Sequence, residues 1–187
     1  MNIVSSRAAT AAVVSPAPAD QIGRAAKLAC AGEQLLTFLE RGQPIGAADL
    51  RTILTDVFGG SDAEGFWSWK DAYEACEVAT VLFLRKYGKA LFRKSATPVA
   101  RLSVLAKIAG LLPTQTRRSE ESQNFQQFST PVPLGLAALT AAAITPDDRV
   151  LEPSAGTGLL AILAQTIGGS LILNELADTR ADLLAQL

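Results

Sequence analysis

Apolar positions in the first part of the chain recur near the period of an α-helix. Between Gln21 and Leu39, residues Ile22, Ala25, Ala26, Leu28, Ala29, Leu35, Leu36 and Leu39 follow that spacing. It predicts one helix or a broken pair, with Gly32 and Gly42 as stops. Leu50, Ile53, Leu54, Val57 and Phe58 repeat the pattern over 47–58. The stretch GGSDAEG then breaks the periodicity and predicts a loop, in which Asp62 and Glu64 lack the ligand spacing of a calcium loop and read as turn and helix-start residues. FWSWKDAYEACEVATVLFLRKYGKALF follows, concentrating Trp67, Trp69, Tyr73, Phe83 and Tyr87, and is expected to be the central helix of an N-terminal bundle. The two tryptophans read as core and rim of that bundle. A further helix over 100–112 stops at Pro113.

The pattern changes after the polar stretch TQTRRSEESQNFQQFST at 114–130. A helix over 134–143 leads through ITPDD into a short strand, RVLE. A glycine turn, SAGTG, follows, then a helix over 159–166, a strand over 170–174 and a last helix beginning near Ala177. The expected organisation is a disordered lead-in (1–20), a helical domain (21–113), a linker and cap (114–130) and the start of an α/β domain (131–187). The fold class is therefore α/β with an N-terminal α-helical bundle and a partial Rossmann-like core built on one βαβ unit. Two strands are too few for a doubly wound sheet, so a sheet edge and apolar faces are expected to stay open.

Composition agrees. The 187 residues are 49% hydrophobic and 19% charged, which excludes wholesale disorder. With 32 alanines and only 6% aromatics, helix should predominate. No apolar stretch approaches the roughly 20 residues that span a bilayer, and residues 1–20 lack the apolar core of a secretory signal, so a cytoplasmic protein is expected. Cys30 and Cys76 lie 46 residues apart, and the chain has no histidine. Cys/His zinc sites, Ser/His/Asp triads and a histidine base are thereby removed, and the expectation is two buried, reduced thiols.

The net charge of −1 hides a strong asymmetry. Residues 1–77 carry six basic and ten acidic side chains, 78–119 nine and none, and 120–187 two and eight. Arg85, Lys86, Lys89, Arg93 and Lys94 head the basic stretch, which Arg101, Lys107, Arg117 and Arg118 continue. Such a stretch suits phosphate neutralisation and nucleic-acid binding, and equally suits a solvated helix face packed between acidic neighbours.

The candidate chemistry lies in the order strand, SAGTG, helix, strand, acid. Gly156 and Gly158 permit close backbone approach to a ligand, and the following helix start offers unpaired N–H groups. Glu175 lies 17 residues beyond Gly158, close to the spacing of about 20 expected of a carboxylate that grips ribose hydroxyls. No lysine follows the last glycine, which excludes a P-loop, and the first glycine of a dinucleotide fingerprint is absent. An adenosine-type ligand is expected; the alternative is a glycine turn of structural use alone.

LEPSAGTG resembles motif I of class I S-adenosylmethionine-dependent methyltransferases, in the form typical of enzymes that methylate amino groups of DNA bases. QQFSTP, at Gln126 to Pro131, resembles the motif that precedes the first strand in that circularly arranged subgroup, and NE, at Asn174 and Glu175, resembles its ribose-binding acid. More widely, FGGSDAEGFWSWKDAYEACEVATVLFLRKYG, LLPTQTRRSEES, QQFSTPVPLGLAALTAAAITP and LEPSAGTGLLAILA are similar to the N-terminal region of bacterial strawberry notch family proteins. The resemblance implies an S-adenosylmethionine site at Phe128, Thr130, Pro131, Glu152, Pro153, Ser154, Ala155, Gly156, Thr157, Gly158, Asn174 and Glu175. It also implies DNA as partner and a longer polypeptide with a helicase-like NTP-hydrolase domain. The Asn/Asp-Pro-Pro-aromatic loop of a complete methyltransferase does not occur in these 187 residues. The competing expectation is a non-catalytic nucleic-acid-binding module on a degenerate methyltransferase scaffold.

Overall fold

A computed structural model describes residues 18–115 and 129–187. The helices in the first segment are α1 (Pro18–Glu40), α2 (Ala47–Phe58), α3 (Trp69–Lys94) and α4 (Pro98–Ala109). The second segment runs α5 (Val132–Ala141), β1 (Arg149–Glu152), α6 (Ala161–Ile167), β2 (Ser170–Leu173) and α7 (Asp178–Gln186). The described chain is mostly helical, with one two-stranded parallel sheet, and is thus mixed α/β with a helical N-terminal part. No described helix is long and apolar enough to cross a membrane. The expected lead-in falls outside the described residues except for 18–20, which already belong to α1.

The helix starts have local causes. Ser68 caps α3, with its hydroxyl receiving the Asp71 N–H while the Asp71 carboxylate receives the Ser68 N–H at 2.7 Å. Thr97 caps α4 with Pro98 in the first turn, and Pro133 occupies the first turn of α5. Gly59, at φ +81, ends α2 in the left-handed conformation.

Gly32 does not stop α1, which runs through it unbroken. A β-carbon there would lie 2.3 Å from Cγ1 of Val78, so the glycine permits close approach of α1 to α3 rather than a helix end.

Helix α3 is central, and to more than an N-terminal bundle. Every residue from Asp71 to Val81 is buried. Leu28, Leu35, Leu50, Leu54, Ala75 and Val78 form one core, which also takes in Leu183 of α7. Val81, Leu84, Phe92, Leu105 and Ile108 form a second with Val132, Leu136, Ile162 and Leu163. The apolar cores thus run across the expected boundary near 113–131. Trp67 is buried and Trp69 half-buried, in edge-on contact at 5.9 Å, as core and rim. Cys76 is buried as expected, whereas Cys30 is exposed on the outer side of α1. The expectation of two buried thiols fails there because position 30 lies off the face that carries Leu28, Ala31 and Leu35 into the core.

The strands pair in parallel with Arg149 opposite Ser170 and Glu152 opposite Leu173. Both carboxyl ends therefore open beside SAGTG. Leu151 on β1 is 63% exposed, and Leu176 just after β2 is 80% exposed, so the described sheet keeps the open apolar surface expected of two strands.

Candidate functional site

The residues between β1 and α6 are held in place by β2. The Ala155 N–H donates to the Asn174 carbonyl at 2.9 Å, and the Asn174 side-chain amide donates to the Pro153 carbonyl at 2.9 Å. Gly156 and Gly158 have φ of +57 and +88, conformations that a side chain resists. Helix α6 begins at Ala161, later than the glycines suggest. The N–H groups of the turn are correspondingly engaged within the protein: Gly158 donates to the Ala155 carbonyl at 2.8 Å, and Gly156 to Oε2 of Glu175 at 2.7 Å.

A cavity of about 400 Å³ opens over this turn, within the range of small-molecule sites. Of the residues expected to bind a cofactor, Thr130, Glu152, Ser154, Ala155, Gly156, Thr157 and Glu175 line it. Pro131, Pro153, Gly158 and Asn174 are not among its lining residues, and Phe128 lies outside the described residues. Asn174 instead clamps the turn from behind. Glu175 accepts one N–H on each oxygen, from Gly156 and, at 2.9 Å, from Ala177, which leaves a lone pair on each for a ligand hydroxyl.

Two charged residues absent from the expected site also line the cavity. Glu77 reaches it from α3, and Arg180 from α7. Arg180 Nε donates to Glu74 Oε1 at 2.6 Å, in a pair where the side chains are 9% and 2% exposed. Burial pushes the Glu74 carboxyl above its usual range against the pull of Arg180 and Lys70. For Arg180, burial works downward and is outweighed by Glu74, Glu77 and Glu175, so its guanidinium is held above its usual range. Glu77 receives the Thr157 hydroxyl on Oε2 at 2.7 Å, and the Gln115 amide at 3.1 Å and the Ser129 hydroxyl on Oε1.

The chemistry of the cavity follows from this inventory. Glu77, Glu152 and Glu175 present carboxylates, while Arg180, the one lining cation among the described residues, is bonded through Nε to Glu74. A phosphate would meet repulsion and few donors. Hydroxyl-bearing or cationic ligands meet acceptors.

The chain matches no family model, no curated protein and no solved structure.

The basic residues of α3 divide into separate surroundings. Lys89 and Arg93 line an open groove of about 690 Å³ with Arg101 of α4, beside Phe92, Ile144 and Ile167. Lys86 turns away from it to Glu40, at 2.7 Å, where with Tyr87 it holds that carboxyl below its usual range. Arg85 lies toward the back of the glycine turn, in a small cavity with Thr157, Gly158 and Leu184, where partial burial lowers its pKa. Lys94 is exposed and does not line the groove.

Proposed function

We propose that this chain is the S-adenosylmethionine-binding part of a methyltransferase-like protein of the strawberry notch type, with β1, α6 and β2 as the beginning of a Rossmann-like sheet. The observation that carries this reading is the acidic cavity at the carboxyl ends of two parallel strands, where Glu175 and the SAGTG turn meet Thr130. Ligands of open parallel sheets sit at that end, and a lining rich in carboxylates favours an adenosyl sulfonium over a nucleoside phosphate.

The residues present fit such a ligand. The two free acceptor positions of Glu175 suit the ribose hydroxyls, Gly156 leaves room over the turn, and Ser129 and Thr130 border the amino-acid end. When bound, S-adenosylmethionine supplies an electrophilic methyl group. The chain's own residues hold and orient it. The base-gripping Asn/Asp-Pro-Pro-aromatic loop is absent from these 187 residues, so the function proposed for them is binding, with DNA the acceptor in a complete protein.

Titration calorimetry with S-adenosylmethionine tests the reading. Glu175→Ala is expected to weaken binding roughly tenfold or more, since charge-assisted hydrogen bonds contribute about 1.5 to 3 kcal/mol. Unchanged affinity would remove Glu175 from the site.

A second reading, a nucleic-acid-binding module on a methyltransferase scaffold, is favoured by one observation. Lys89, Arg93 and Arg101 converge on a single groove, and none of them is ion-paired among the described residues. This surface is compatible with the first reading, and the two separate by which ligand binds.

A further inference from the structure

Glu77 sits in an unusual position for a carboxylate. It lies in the stretch of α3 that is buried on every side, and it is only 4% exposed. Taking a carboxylate out of water is costly unless a cation or several donors compensate. Here the direct hydrogen bonds come from neutral groups, the Gln115 amide and the hydroxyls of Ser129 and Thr157, while the guanidinium of Arg180 acts on it only at longer range. Among the described residues it has no ion-pair partner: the nearby guanidinium of Arg180 is bonded to Glu74 at 2.6 Å.

The hydrogen bonds also say where the unused capacity lies. Oε1 receives two donors and is saturated. Oε2 receives only Thr157 Oγ1, so one acceptor position remains on the oxygen beside the glycine turn. Ser129 and Thr157 tie this carboxylate to both flanks of the cavity, the segment before α5 and the turn after β1.

We infer that Glu77, contributed by the helical part of the chain, is a specificity-determining residue that receives the α-ammonium group at the amino-acid end of the ligand and makes the site prefer an adenosyl compound that carries this cation to one without it. The inference rests on the reading that an adenosyl compound lies across the SAGTG turn. It goes beyond that reading by making α3 a wall of the binding site rather than an appended module. The arriving cation supplies the direct ion-pair partner that Glu77 lacks, and Glu175 is left to the ribose.

The test compares two ligands on the full chain by calorimetry: S-adenosylmethionine, which carries sulfonium, α-ammonium and α-carboxylate groups, and 5′-methylthioadenosine, which keeps the nucleoside and sulfur but is neutral. The parent is expected to bind the first more tightly by roughly tenfold, the scale of one charge-assisted contact. Glu77→Gln keeps the shape but removes the charge and turns one acceptor oxygen into an NH2 donor, which the rotatable hydroxyl of Thr157 can accommodate by accepting. It should lower affinity for S-adenosylmethionine about fivefold to tenfold and leave 5′-methylthioadenosine within about twofold. Equal losses for both ligands, or none, would overturn the role of Glu77 while leaving the adenosyl site standing. If the parent binds neither ligand, the adenosyl reading itself falls and takes this inference with it. Should Glu77→Gln fail to fold, the parent alone decides by comparing S-adenosylhomocysteine, which keeps the α-ammonium beside a neutral thioether, with 5′-methylthioadenosine: no preference for the former would overturn the inference.

Discussion

Replacing Arg180 with methionine tests how the two halves of the described chain are joined. Methionine keeps much of the aliphatic bulk that arginine packs against α3 but leaves Glu74 with only Lys70, at 3.6 Å. Removing one member of a buried ion pair typically costs about 3 to 5 kcal/mol, because the remaining charge stays desolvated. Lys70 offsets part of this, so the lower end is expected, about 3 kcal/mol near neutral pH. The sign of the pH dependence follows from Glu74. Its folded carboxyl is raised by burial, so the folded state favours the protonated form. That contribution is fully present below the usual carboxylate range and is lost as pH rises through the folded value. Arg180 opposes the rise in the parent, and without it the carboxyl climbs further. The deficit of Arg180→Met should therefore be small in mild acid and grow toward neutrality. Urea unfolding followed by the fluorescence of Trp67, which is buried in the core beside α3, would measure it. Combining Arg180→Met with Glu74→Leu should recover most of the loss, since apolar replacement of a whole buried pair is often nearly neutral. A deficit under about 1 kcal/mol near neutral pH, or a double variant no more stable than the single, would refute the assignment of this pair as a buried connection.

Gly158→Ala should destabilise the fold by about 1 to 2 kcal/mol through its left-handed conformation, with the new methyl only 3.1 Å from Leu184 Cδ1; an unchanged urea midpoint would contradict this. Burial pushes the Cys76 thiol up to about 12, so a thiol reagent should label Cys30 alone in the native protein and both cysteines in denaturant. Rapid native labelling of Cys76 would show that α3 is not packed as described. If the groove of Lys89, Arg93 and Arg101 binds DNA, three phosphate contacts give a salt slope near about −2.7 on a duplex. Lys89→Glu with Arg93→Glu should flatten it, and identical slopes in an anisotropy titration would return these residues to a solvated face.

The elements themselves were largely legible. The apolar period located α2, and the RVLE strand and its partner are found where the flanking turns placed them, because each is specified by neighbours within a few residues. At Gly32 the sequence left one helix and a broken pair both open, for a definable reason. A glycine inside a periodic stretch marks either an end or a close approach, and only the position of Val78, on a different helix, decides between them. Cys30 was assigned to the core because free cysteine is usually buried, yet it falls off the apolar face of α1. The basic stretch suited either a phosphate-binding surface or a solvated face, because charge counted along the chain does not say which side chains share a side. It divides because Glu40, brought alongside by α1, captures Lys86.

At the candidate site the limit of sequence reading is sharper. The glycine turn and Glu175 announce themselves by spacing, since a turn and the strand beside it are close in the chain. Glu77 and Arg180 acquire their places through contacts 80 and 106 residues apart, from Glu77 to Thr157 and from Arg180 to Glu74. One signal was nevertheless present. Glu74 and Glu77 lie three apart on the same side of a helix whose other positions from Ala72 to Val81 are, apart from Thr80, apolar or aromatic. A helix apolar on every side is enclosed on every side, and carboxylates within it require partners from elsewhere in the chain. Two acids in such a stretch therefore indicate that another part of the protein docks there with donors to match. In this chain that part is the glycine turn, with Thr157, and α7, with Arg180, which is why the helical region and the candidate ligand site belong to one arrangement.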